Sequence, residues 1–435
     1  MNAKLSSITT TIQSSFVEFF QRSTSTGIII LIASALAMLW TNSPFHGSYE
    51  ALRHQPIEIV LSSLHLEFSF EHFVNDGLMV LFFLVVGLEI KRELLVGELS
   101  SRQTAMLPFI AAVFGMIGPA VVYLAFNSGT DAARGWGVPV ATDIAFALGV
   151  LALIGNRIPL GLRVFLAALA IVDDLLAVLV IALFYTASLN IGMLLLAAAI
   201  TAVLFIGNRL RVNSLWFYGL LGVALWVAVL FSGIHATIAG VVLAMCVPAT
   251  SRIDRVSFFQ RSRELVTRIT QRADTSEDEG EQLDAIHELE EMCEHAQSPL
   301  HRIEHGLGSV VSLLIMPIFA LVNAGIVIDT SLVSSLSSSV GLGVILGLFI
   351  GKQIGISLAV VISVKLGIAS MPRGVRPIHM YGVSLLCGIG FTMALFVANL
   401  AFIDPAHLDV AKLSIIVGST LSAVAGAIVL RSTTS

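Results

Sequence analysis

Two adjacent aspartates, Asp173 and Asp174, stand inside the apolar run A-L-A-I-V-D-D-L-L-A. Ionisable residues in such surroundings are costly, and by default they mark ion or proton pathways. Asp76, Asp143 and Lys352 are placed in the same way, while Glu89 and Glu93 close the apolar run at 73–90. Neighbours on a helix point about 100° apart. Asp173 and Asp174 can therefore reach one cavity wall from different angles, and carboxylates this close titrate as a unit. Their oxygens suit a hard cation. A small monovalent cation and a proton would compete for the same acids, which is the minimum chemistry of an exchanger. An ammonium at similar depth needs a carboxylate partner, and Asp173 is the preferred partner for Lys352.

The remaining acid, Asp143, follows a helix breaker in G-V-P-V-A-T-D-I-A-F-A. Pro139 removes a backbone donor, and Thr142 offers a hydroxyl and a carbonyl beside the acid. A matching interruption occurs at L-L-C-G-I-G-F-T-M, where Gly388 and Gly390 flank Ile389. Paired interruptions in corresponding halves of a membrane chain point to a transporter site. Exposed positive helix ends would favour Asp143, and negative ends Lys352. Gly343, Gly347, Gly351 and Gly355 recur every fourth residue before and beside Lys352, and they predict a smooth face for close helix packing.

The elements that must hold these residues are legible in the composition. Of 435 residues, 56% are hydrophobic and 12% charged, with a mean hydropathy of +0.91. So little charge excludes a soluble globule of this length, and so much apolar residue excludes disorder. Cys246, Cys293 and Cys387 are too few and scattered for a disulfide framework. The first 21 residues lack the pattern of a cleavable signal. Twelve apolar segments read as membrane-crossing helices, near 24–42, 73–90, 104–126, 137–154, 164–185, 191–206, 215–230, 234–248, 306–324, 340–364, 378–400 and 409–430. A tight Phe231–Gly233 turn would join the seventh and eighth. One side carries 20 of the 24 Lys and Arg residues, which predicts that both termini are cytoplasmic.

Two loops stand apart. In 57–70, Leu64, Leu66, Phe68 and Phe70 alternate with polar residues, predicting an outer β-hairpin that turns at Ser62–Ser63. Residues 249–303 form a polar insert, basic in its first half and acidic in 274–294. It reads as a solvated loop, with Leu283, Ile286, Leu289 and Met292 at the spacing of a short amphipathic helix.

At these residues the chain resembles the NhaA family of bacterial sodium/proton antiporters. The resemblance rests on F-F-L-V-V-G-L-E-I-K-R-E-L (82–94), A-T-D-I-A-F-A-L-G-V-L-A-L (141–153), A-L-A-I-V-D-D-L (168–175), S-G-I-H-A-T-I-A-G (232–240), G-K-Q-I-G-I-S-L (351–358) and C-G-I-G-F-T-M (387–393). It implies an all-α integral membrane protein with inverted repeats and two interrupted helices crossing at mid-membrane. That family is itself a known example of the architecture, so the interruption argument is not independent of the resemblance. The resemblance further implies sodium and proton binding at Asp173 and Asp174, with Thr142, Asp143, Gly388 and Gly390 at the crossing and Lys352 as lysine partner. It implies a pH-response cluster of Glu89, Arg92, Glu93, Glu304 and His305. The implied activity is electrogenic export of sodium or lithium for two protons, by alternating access, in the bacterial inner membrane. It implies no cofactor, no nucleic acid, and a homodimer formed partly through the hairpin. The long insert departs from the family pattern and puts pH regulation, rather than ion binding, in question.

Other motifs point elsewhere. His301–Arg302–Ile303–Glu304–His305 spells a zinc-peptidase signature, but no third ligand is identifiable nearby. His235 reads as a packed, hydrogen-bonded histidine. The adjacent aspartates do not fit an intramembrane aspartyl protease. A sodium-coupled solute symporter would need a larger polar site. A passive cation channel would move cations without counter-moving protons.

Overall fold

The computed structural model describes residues 25–61, 64–155, 158–186, 189–251, 255–272 and 279–433. It is built almost wholly of helices. In chain order these are α1 (Ser25–Thr41), α2 (His46–Arg53), α3 (Phe70–Val96), α4 (Arg102–Asn127), α5 (Asp131–Val140) and α6 (Ile144–Ile154). Then come α7 (Leu160–Phe184), α8 (Ile191–Arg209), α9 (Leu215–Leu230), α10 (Ile238–Cys246), α11 (Arg255–Arg272) and α12 (Glu279–Ala296). The last are α13 (Pro299–Asn323), α14 (Ser339–Lys365), α15 (Pro377–Leu386), α16 (Phe391–Ala401) and α17 (Pro405–Thr433).

Every one of the twelve expected segments carries helix. Among the described residues, eight helices are long and apolar enough to span by themselves, and up to ten if each sharply bent pair is counted as one span. The two shortfalls are α9, with 16 residues, and α10, with 9. At about 1.5 Å per residue these fall short of a ~30 Å hydrocarbon core. Gly233 does make the turn between them, with a left-handed φ of 86°. The end of α10 is held by Lys91, whose ammonium donates to the carbonyls of Met245 at 2.7 Å and Val247 at 2.5 Å. A cation there satisfies carbonyls that the helix leaves free.

The glycine face of α14 packs as its spacing predicts. A Cβ on Gly347 would lie 2.7 Å from Pro139 Cβ, and one on Gly351 would lie 2.6 Å from Pro119 Cα. Only glycine lets α14 approach α4 and α5 this closely. Immediately before Lys352, residues Gly347–Gly351 form a widened π-turn. Similar turns occupy Phe73–Leu78 in α3 and Val311–Ile315 in α13. Such turns occur frequently at functional sites.

The hairpin pairs β1 (Pro56–Leu61) with β2 (Leu64–Ser69), antiparallel, in the register Ile57↔Phe68 and Leu61↔Leu64. The expected turn residues Ser62 and Ser63 lie outside the described residues. Arg53 and Glu71 close the base with two 2.7 Å hydrogen bonds. In the insert, α12 carries the short helix that the spacing of Leu283, Ile286, Leu289 and Met292 suggests, whereas the loop expected before it is replaced by a second 18-residue helix, α11. Buried Leu265 and Met292 give these polar helices an apolar seam. Residues 1–24, Arg252 and 273–278 lie outside the described residues.

Candidate functional site

The interruption in the first broken span is extended at Ala141–Asp143, between the tight turns of α5 and the regular helix α6. Pro139 stands in α5, and two tyrosines hold its backbone. Tyr123 donates to Ala132 O at 2.8 Å, and Tyr185 donates to Arg134 O at 2.7 Å. Asp143 is the N-cap of α6, with Oδ1 accepting from Phe146 N at 3.1 Å. A carboxylate there satisfies a free N–H and meets the positive helix end.

The second interruption lies against the first. The Asp143 N–H donates to Ile389 O at 2.7 Å, and Thr142 Oγ1 donates to Cys387 O at 2.9 Å. Asp143 Oδ2 accepts from Thr392 N at 3.1 Å and from the Thr392 hydroxyl. The N–H groups of Gly390 and Phe391 both donate to Ser419 Oγ at 3.2 Å. One acid thus fixes two broken helices together. Gly388 and Gly390 serve close approach rather than a left-handed backbone, because neither has positive φ. A Cβ on Gly388 would meet Leu348 O and Ser422.

On α7, Asp173 and Asp174 are 2% and 3% exposed, and their environments differ. Asp173 Oδ2 accepts from Lys352 Nζ at 2.8 Å, as the sequence predicts. The same ammonium donates to Val140 O, at the C-terminal end of α5. Asp173 Oδ1 is buried without a hydrogen-bond partner among the described residues. A carboxylate oxygen in this position is an acceptor that a proton or a cation could use. Asp174 instead lines a cavity of about 480 Å³ together with Asp143, Thr392, Phe82, Glu89 and Glu304. It has no ion-pair or hydrogen-bond partner among the described residues.

The cavity mouth lies toward the arginine-rich side. Arg92 pairs with Glu304, with Glu93 at 3.2 Å and with Glu89 at 3.9 Å. His301 and His305 also line it. The pH-response residues implied by the resemblance are therefore neighbours. The zinc reading gains no support, since no group of three His, Cys, Asp or Glu residues is arranged for a metal among the described residues.

Asp76 is not brought to this site. It sits near the opposite end of α3, pairing with His72 at 2.8 Å and His235 at 3.2 Å. His235 also shares a 2.9 Å hydrogen bond with Thr237, so it is the packed histidine expected. Three participants escape the sequence reading: Thr392, Ser419 and the carbonyl of Val140. Thr392 had a signal, since it opens a half-helix two residues after Gly390. Ser419 had none, as nothing marks it among the other hydroxyls of α17.

The Na+/H+ antiporter 1 family profile matches residues 17–430. Relatives named Na(+)/H(+) antiporter NhaA align over nearly their whole length. That of Oleidesulfovibrio alaskensis is 47% identical over 426 residues, covering 96% of this chain and 93% of its own. That of Vibrio campbellii is 44% identical, covering 95% and 94%. That of Helicobacter pylori is 44% identical, covering 93% and 92%.

Proposed function

The chain belongs to the NhaA family of sodium/proton antiporters, and from that membership we propose that it exports sodium or lithium for protons, with Asp174 and Asp173 as the shared ion and proton sites. The observation that carries this reading is the asymmetry of the pair. Asp174 opens into the cavity, whereas Asp173 is tied to Lys352 with one oxygen free. Sodium entering from the arginine-rich side meets Asp174 first. Its arrival at Asp173 would compete with the Lys352 ammonium.

Two separate proton acceptors support a two-proton cycle, one at Asp174 and one in the Asp173–Lys352 pair. Each cycle would then move one net positive charge inward. The setting is the bacterial inner membrane, with the arginine-rich side cytoplasmic. Alternating access would close the cavity described above and open the opposite face. Direct competition gives pH regulation its simplest form, because protons hold the acids at low pH and sodium gains access as pH rises. The mouth cluster of Arg92, Glu93, Glu304 and His305 would tune that access electrostatically.

Purified protein in proteoliposomes tests this reading. Sodium and lithium should each drive proton movement, and potassium should not. Currents on a solid-supported membrane should follow the sodium gradient, and a membrane potential should bias exchange by about 2.3 kcal/mol per charge per 100 mV. Cation flux without proton movement would favour a channel. Proton movement without current would leave antiport standing and remove the two-proton stoichiometry.

The hairpin supports a homodimer, because both of its edges present unpaired backbone groups to a second copy. Deleting residues 57–70 should convert the dimer to a monomer in mild detergent and leave exchange within about twofold at ordinary salt, since interfaces distant from a site are close to additive with it. A deletion variant that remains dimeric would show that the contact lies elsewhere.

A further inference from the structure

The floor of the cavity leads to a second constellation. Phe82 of α3, Met316 of α13 and Met393 of α16 line the cavity. About two turns farther along the same three helices stand Asn75, Asn323 and Asn399. Their side-chain amides bond to one another. Asn323 Nδ2 donates to Asn75 Oδ1 at 2.9 Å, Asn75 Nδ2 donates to Asn323 Oδ1 at 3.3 Å, and Asn399 Nδ2 donates to Asn323 Oδ1 at 2.6 Å. Asn323 is completely buried and also donates to Phe319 O at 2.9 Å.

Between these amides and the cavity stand the rings of Phe319 on α13 and Phe396 on α16, with Phe83, the neighbour of cavity-lining Phe82, packed against them. Phe396 packs against Phe83 at 5.4 Å and Phe319 at 6.1 Å between ring centroids, and all three rings are buried. His235, paired to Asp76, meets the edge of Phe396 at 5.5 Å. An ion at Asp174 therefore faces open space toward the arginine-rich side and two stacked barriers toward the other.

We propose that the Asn75–Asn323–Asn399 amides are the latch of the outer gate, holding α3, α13 and α16 together over the aromatic plug while the inner side is open. This rests on the alternating-access reading above. The chemistry suits a latch that must release. Amide pairs hold through neutral hydrogen bonds, each of modest net worth because water replaces it readily. An ion pair in the same place would be harder to part. Asn75 lies in the widened turn Phe73–Leu78, and a second widened turn, Val311–Ile315, lies between the mouth and Asn323 in α13. These give two of the three helices a place to bend. The same carbonyl oxygens, once freed, are ligands that a departing sodium ion could use.

The test compares the two faces of the membrane. Asn399→Ala removes one latch bond without touching the acids. In right-side-out vesicles, the half-saturating sodium concentration should fall about fivefold, as expected when a scarce outward-open state becomes commoner. In everted vesicles, which present the cavity mouth, it should stay level or rise. Asn75→Ala, at a position half-buried like that of Asn399 but on a different helix, should act in the same direction and guards against misfolding of the first variant. Equal changes at both faces, or none, would overturn the latch and leave the amides as packing. A second measurement does not depend on antiport. Phe83→Cys should react with a membrane-impermeant maleimide from the outer face at least several-fold faster when Asn399→Ala is added. If wild-type vesicles show no sodium-driven proton movement, the antiport reading fails, and this labelling still decides the latch. An unchanged labelling rate would overturn it.

Discussion

Asp174→Asn is expected to abolish sodium-driven proton movement while leaving a folded, inserted protein. The acid faces the cavity and has no bonding partner among the described residues, so its loss breaks no internal contact. For a sodium ion in that place the loss is severe. A buried ion without its counter-charge costs ~3–5 kcal/mol, which lowers affinity by roughly a hundredfold to several thousandfold. The amide also cannot carry a proton between the two faces, so the coupled flux disappears even where some sodium still binds. Transport assays in proteoliposomes, with thermal melting as the control for folding, check both halves. Near-normal exchange by a well-folded variant would remove Asp174 from the mechanism.

Asp173→Asn is expected to fail differently. It strips the counter-charge from the Lys352 ammonium, which is completely buried and keeps only neutral acceptors, the Val140 carbonyl and the new amide oxygen. Breaking such a pair costs ~3–5 kcal/mol, so the thermal midpoint in detergent should fall clearly below that of Asp174→Asn. Adding Lys352→Met removes the stranded charge and should recover most of that loss, because replacing a buried pair by apolar groups is often neutral. Exchange should remain impaired in the double variant, which lacks the second acid. Full stability of Asp173→Asn alone would mean that Lys352 has lost its proton or turned to another partner.

The sequence made the ion pair and the helix crossing legible for a physical reason. A charge or a break inside an apolar run is conspicuous against a uniform background, so Asp143, Asp173, Asp174, Lys352 and Pro139 stand out without alignment. Partners drawn from ordinary residues do not. Ser419 and the carbonyl of Val140 matter only through where the fold brings them. Asp76 shows the limit of the same reasoning, because an intramembrane acid can be satisfied locally, here by His72 and His235. The uncharged stretch 212–251 reads as two segments and holds two helices, but Gly233 and the turns after it leave α10 only nine residues, a length that hydropathy does not reveal. In the insert, α12 was visible in its apolar spacing, but α11 was not, because charge density hides helix propensity. Its Arg and Glu residues favour helix, and one apolar seam is enough to pair α11 with α12.

The proposed exchange requires that sodium and protons compete for the same carboxylates. The most direct measurement is proton release on sodium binding, made with purified protein in weakly buffered detergent solution. Wild-type protein should release at least one proton for each sodium ion bound, lithium should do the same, and Asp174→Asn should release little or none. Sodium that binds tightly without releasing protons, or release that persists undiminished in Asp174→Asn, would contradict the account.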